Sequence, residues 1–340
     1  MRISSIDSVR VLAMAAVVAI HTFAFWPYPD VYDGVQLLAR FAVPFFFAAS
    51  GYLFSKKYLT SPVTLHSVVL PLRRILLVYL IWSLLYAIAP AVLPKNWDNI
   101  ALHGFITELT HQFDLTINDI AQRPLFYLHE GPGFHLWFLP ALALSLSLLA
   151  VAVRYNRLGL FMLLGMALFC AGLLAKPYIN TAWGWHLDFN VRNGPFFGTV
   201  FVAIGAWLAR QPDKPRLDYA LIIFILGYLL QFFEAQYLHA LDPRIPLAGH
   251  DYLIGTLPLG IGALLIALAL PTFGERSGMQ KLSPYILGIY ACHVLIRDCL
   301  EPIRDDLPLY YLSWGILTFV LSLALTMILR RIPIIRHSVM

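Results

Sequence analysis

Residues 7–22 read Asp7-Ser8-Val9-Arg10-Val11-Leu12-Ala13-Met14-Ala15-Ala16-Val17-Val18-Ala19-Ile20-His21-Thr22. The run is apolar enough to cross a bilayer, yet it carries Asp7, Arg10 and His21. At about 100° per residue, Arg10 and His21 fall within roughly 20° of each other on one helical face, about 16 Å apart along the axis. Ionisable groups inside a membrane are costly, so each marks a functional site by default. The plainer reading of His21 is a buried histidine bonded to a neighbouring helix. The plainer reading of Arg10 is an interfacial anchor whose guanidinium reaches back to water. Their shared face favours a joint role: an anionic ligand held at one end, proton chemistry at the other.

Working outward, composition sets the class. Apolar residues make up 59% of the 340, charged ones 13%, and mean hydropathy is +0.72. A soluble domain carries about 25% charged residues. The chain therefore reads as an all-α, polytopic integral membrane protein. A net charge of +5 and a pI near 9.1 do not argue for nucleic acid, because the basic residues are spread through short loops. Cys170, Cys292 and Cys299 fit neither a metal motif nor a disulfide framework. The first apolar run contains His21, ends in Phe25-Trp26-Pro27 and lacks a small-x-small cleavage site, so it is expected to be a retained helix.

About ten spans are expected, at roughly 7–26, 35–54, 72–93, 136–153, 158–175, 195–209, 218–238, 253–270, 284–300 and 308–329. An even count puts both termini on one side. Of the 24 lysines and arginines, Lys95, Arg123, Lys176, Arg192, Arg244, Arg297 and Arg304 fall on one side and Arg40 within a span, leaving sixteen on the other. The positive-inside rule makes that other side cytoplasmic, with both termini. The segment 94–134 is then extracytoplasmic and is expected to hold a short amphipathic helix. The rest reads as a single membrane-embedded domain over 1–340.

Further residues carry two readings. Arg73-Arg74 at the start of the third span is a positive-inside signal, or a pair of forks suited to phosphate. In Pro44-Phe-Phe-Phe-Ala-Ala-Ser-Gly51-Tyr52 the small residues allow close helix packing. Packing does not explain Arg40, expected to face a polar cavity or an acid. His135-Leu-Trp137-Phe-Leu139 opens the fourth span, where Trp137 serves as a belt residue or as a stacking face for a sugar. Ile289-Tyr-Ala-Cys-His293 places another histidine in an apolar run.

Over nearly its whole length the chain resembles the acyltransferase 3 family of membrane O-acyltransferases. The marks are Arg10 and His21 in the first span, Phe45-Phe-Phe-x-x-Ser50-Gly51-Tyr52 in the second, arginines at the third, His135-Leu-Trp-Phe-Leu139, and Ile289-Tyr290-x-x-His293. The resemblance implies catalysis by His21 with Arg10 essential. It implies an acyl-CoA site at Arg73 and Arg74, with Ser50 and Tyr52 beside it, and acetyl-CoA as co-substrate without a metal. Many members have two arginines three apart where Arg73 and Arg74 are adjacent. Arg40, His135, Trp137 and His293 become candidates for binding the acceptor, a sugar hydroxyl of a cell-surface or lipid-linked glycan. The expected setting is the bacterial inner membrane, with membrane lipids as neighbours, no nucleic acid, and room for a homo-oligomer. The rival class is a proton-coupled transporter or flippase of a glycan or small anion; a sensor or scaffold without chemistry is a third.

Overall fold

The computed structural model describes residues 3–23, 28–59, 62–93, 97–98, 102, 104–333, 336 and 339. Among them every regular element is helical, which makes this an all-α membrane protein. In chain order the helices are α1 (Ser4–Thr22), α2 (Pro29–Ala39), α3 (Ala42–Lys57), α4 (Leu65–Val92), α5 (Phe105–Gln122), α6 (Pro124–His129), α7 (Phe138–Arg154), α8 (Leu158–Ala175), α9 (Pro195–Leu208), α10 (Leu217–Leu241), α11 (Thr256–Ala269), α12 (Ile286–Leu300) and α13 (Tyr310–Arg331). Three 3₁₀ turns lie at Leu247–Gly249, Met279–Tyr285 and Glu301–Asp306.

Six stretches are long and apolar enough to cross a bilayer: Ser4–Thr22, Pro29–Lys57, Val68–Ala89, Leu158–Ala175, Leu217–Leu241 and Leu312–Arg331. Phe138–Arg154, Pro195–Leu208 and Thr256–Ala269 are apolar but shorter. Two of the expected spans are built differently from the sequence reading. The expected span 35–54 is two helices, broken at Arg40 and Phe41. Pro44 has no N–H to give the Arg40 carbonyl, and the Arg40 and Phe41 amides instead bond back to Leu37 and Leu38 in a tight turn (3.3 and 3.2 Å). α4 starts at Leu65 and runs through Pro71, so Arg73 and Arg74 lie inside a helix rather than opening one. The apolar residues before Pro71 favour the longer helix. The end of the expected first span, 24–26, lies outside the described residues.

The expected amphipathic helix in 94–134 is α5, 18 residues long, followed by the single-turn α6; residues 94–96, 99–101 and 103 of that segment lie outside the described ones. At the corner between them Asp119 takes Arg123 and the Tyr127 hydroxyl. Burial and the bond to Asp119 push the Tyr127 hydroxyl up to about 12.

The chain forms two compact units. One comprises Met1–Ile20, Trp26–Leu72 and Ala141–Ser283. In it α3 packs on α9 and α11, α9 on α8, and α10 on α11. Small residues let α3 and α9 approach closely. A side chain at Gly51 would meet the Val202 backbone, and one at Gly205 the Ala48 backbone. Ala48 and Ala49 are fully buried in the same seam. Buried polar groups are tied in: Gln231 donates to the Leu37 carbonyl (2.6 Å), and Glu234 accepts the Tyr178 hydroxyl (2.7 Å) and the amides of Ile254 and Gly255 (2.9 and 3.0 Å).

The second unit comprises His21–Phe25, Arg73–Pro140 and Pro284–Met340. Here α12 packs along α13, with Gly288 against Thr326. The turn at 131–137 enters this unit and carries His135 into its core.

Candidate active site

α1 carries both Arg10 and His21. At its N-terminal end Arg10 Nη1 lies 3.5 Å from Asp7 Oδ1, one turn earlier. Asp7 Oδ1 also accepts the Ser283 hydroxyl at 2.8 Å. Asp7 is buried and Arg10 half-buried, so the arginine sits beside a carboxylate of its own helix.

At the other end of α1, His21 belongs to the second unit. Its ring lies 5.4 Å from that of His293 on α12, the planes tilted by 31°, and 5.1 Å edge-on from Phe134. The His293 ring is in turn 5.0 Å from His135. Tyr290 and Tyr86 close the far side of His135, at 5.5 and 5.0 Å. Three histidines from α1, α12 and the turn before α7 thus form a line. His135 and His293 are fully buried, whereas His21 keeps partial exposure.

The hydrogen bonds set the tautomers of the two buried rings. His293 Nδ1 is 2.7 Å from the Tyr290 carbonyl, which can only accept, so Nδ1 carries the proton. In the neutral ring Nε2 then keeps its lone pair, and no described residue donates to it. His135 is the mirror case. Its Nε2 reaches the Ala291 carbonyl at 3.3 Å and its Nδ1 has no partner among the described residues. Backbone groups around the rings are held too: the Tyr290 hydroxyl donates to the His135 carbonyl, and the Tyr86 hydroxyl donates to the Ala291 carbonyl at 3.0 Å. Two buried imidazoles, each with one nitrogen fixed on a carbonyl, lie beside a third that is partly exposed, an arrangement that can pass a proton.

The remaining candidates divide. Arg73 and Arg74 are exposed and make no ion pair among the described residues. Ser50, half-buried, bonds back to the Phe46 carbonyl of its own helix (2.7 Å). Tyr52 and Trp137 are buried. Arg40 donates to the Ala248 carbonyl at 2.5 Å, and the acid it approaches is Asp251. Arg10, Arg40, Ser50 and Tyr52 belong to the first unit. His21, Arg73, Arg74, His135, Trp137 and His293 belong to the second.

Sequence reasoning overlooked Phe134, Tyr86 and Arg297. The Arg297 guanidinium lies 5.5 Å from the Phe134 ring centroid and is held by Asp298. A signal for Arg297 was present: Tyr290, His293 and Arg297 follow i, i+3, i+7 spacing, one stripe of a helix. Tyr86 had none, since it reaches the Ala291 carbonyl from a distant helix.

No solved structure matches the chain. Among curated proteins it is similar to a serine/alanine racemase of Enterococcus gallinarum, 30% identical over 276 residues, 76% of this chain and 36% of that protein. It is also similar to two amino-acid racemases of Enterococcus faecalis. One is 27% identical over 97% of this chain and 46% of the relative, the other 24% over 85% and 39%. The chain spans less than half the length of each. The family described as an acyltransferase domain matches residues 3–331, nearly the full sequence, and the chain belongs to that acyltransferase family.

Proposed function

We propose that this protein is a membrane O-acetyltransferase. It moves an acetyl group from cytoplasmic acetyl-CoA to a sugar hydroxyl of a cell-surface or lipid-linked glycan, in the bacterial inner membrane. Family membership supports acyl transfer. The observation that carries the chemistry is His21, partly exposed, stacked on His293, whose proton is committed to the Tyr290 carbonyl. In this reading His21 takes the proton from the acceptor hydroxyl, or itself attacks the acyl carbon as nucleophile. Acetyl-CoA supplies a thioester; its C–S bond breaks as the C–O bond forms, and the proton ends on sulfur. His293 and His135 keep the site neutral and orient the His21 ring. Arg73 and Arg74, exposed and without an ion pair among the described residues, suit the phosphates of the donor. His135, Trp137 and His293 form the acceptor side within the second unit in this reading.

We take the glycan acceptor from a reading of His135–Leu139 and Ile289–His293 as like the segments of the enterobacterial common antigen O-acetyltransferase. The relatives carry racemase names; the reading for this chain rests instead on the family that spans 3–331. Purified protein given radiolabelled acetyl-CoA and a lipid-linked glycan extract should transfer label to an alkali-labile ester. Vesicle uptake of the glycan without label transfer would replace this reading with a transporter.

A further inference from the structure

Away from the histidine line, the first unit holds a second concentration of charge. Arg40 sits at the break between α2 and α3, Lys176 just past the end of α8, and Arg192 in the loop before α9. All three converge on Asp251, in the loop before α11. Lys176 Nζ lies 2.9 Å from Asp251 Oδ1 and Arg192 Nη1 2.6 Å from Oδ2. Burial pushes the Asp251 carboxyl up, but Lys176, Arg192 and Arg40 together hold it below the ordinary carboxylate range.

Three cations around one carboxylate leave positive charge in excess. Asp33 takes the Ala248 amide and interacts with His239 and Asp30. Unlike Lys176 and Arg192, Arg40 makes no direct bond to Asp251 among the described residues. Its Nη2 bonds to a backbone carbonyl, and its Nε is buried without a partner among the described residues. Buried guanidinium groups are paired and hydrogen-bonded as a rule, so this donor set lacks an acceptor. The cluster is also reachable: the Lys176 and Arg192 side chains keep 30% and 21% of their exposure.

We infer that Arg40, Lys176 and Arg192 form a binding site for an oxyanion, a carboxylate or phosphate, carried by a sugar. The planar forks of Arg40 and Arg192 match either group, and Asp251 orients Lys176 and Arg192 while leaving Arg40 for the ligand. The sugar rests on the glycan reading above; the charge preference does not.

The test is equilibrium binding to the purified full chain in detergent, without acetyl-CoA, of glucuronate, glucose 1-phosphate and glucose. At least one of the two anions should bind and neutral glucose should not; the tighter one identifies the group. Arg40→Gln should weaken that binding by on the order of 10–100-fold. Arg40→Lys, which keeps the charge without the fork, should fall between. Without ligand, Arg40→Gln should unfold at the same or a higher temperature than wild type, because it relieves excess charge. Equal binding of glucose and the anions, or anion binding unchanged in both variants, would overturn the site. So would an Arg40→Gln protein that is less stable while its anion affinity is intact. Label transfer is not read in this experiment, so loss of the anion site leaves the acetyltransfer reading standing, and the converse holds.

Discussion

His21 on α1 and His293 on α12 come from opposite ends of the sequence, and their rings lie 5.4 Å apart with planes tilted by 31°. Because His293 directs Nδ1–H to the Tyr290 carbonyl, Nε2 is the nitrogen left to meet its neighbours. If the pair acts as a unit, their substitutions are not additive. His21→Ala should lower label transfer by ~10²–10⁴ with an unchanged thermal midpoint. His293→Phe, which keeps a ring but removes the lone pair, should also lower transfer. The double variant should be no worse than His21→Ala alone. Two losses that simply multiply would separate His293 from the reaction.

Arg73 and Arg74 stand exposed on α4. If they meet donor phosphates, Arg73→Ala and Arg74→Ala together should weaken binding of CoA by several-fold at low salt. The effect should fade towards 1 M salt, where exposed charges are screened. Titration of CoA at two ionic strengths measures this. An affinity that is the same in wild type and double variant at low salt would move the phosphate site elsewhere.

Gly205 faces the Ala48 backbone where α9 crosses α3. Backbone cannot yield as a flexible side chain can, so Gly205→Val should force the helices apart. We expect a loss of roughly 1–3 kcal/mol or more, read as a lower midpoint of thermal unfolding in detergent. Gly159→Ala, at a glycine with open space around it, is the control and should leave the midpoint unchanged or slightly raised. A Gly205→Val protein as stable as wild type would show that the crossing adjusts.

Sidedness follows from the charge bias and is open to direct labelling. In a background without Cys170, Cys292 and Cys299, single cysteines at Asn118 in α5 and Asp213 in the loop after α9 both lie at exposed positions. On intact cells an impermeant thiol reagent should label position 118 and spare 213. Labelling of 213 alone would invert the chain and place Arg10 on the side without acetyl-CoA.

Much of this protein was legible in the sequence because a bilayer imposes one demand on every crossing segment. Backbone polar groups must be satisfied within the helix, and about twenty apolar residues are needed to span. That demand is local, so composition alone identifies the helical membrane class and marks Arg10, His21 and His293 as anomalous. Close packing by Ala48, Ala49 and Gly51 was legible for the same reason. Which anomalies meet was not, since that depends on contacts between segments far apart in the chain. Only the tertiary structure brings His21, His293 and His135 into one line and gathers Arg40, Lys176 and Arg192 on Asp251. The break at Arg40 lies between the two kinds of information. Pro44 announces it, but a hydropathy window averages over one missing N–H, and only the folded chain shows where that break turns the guanidinium.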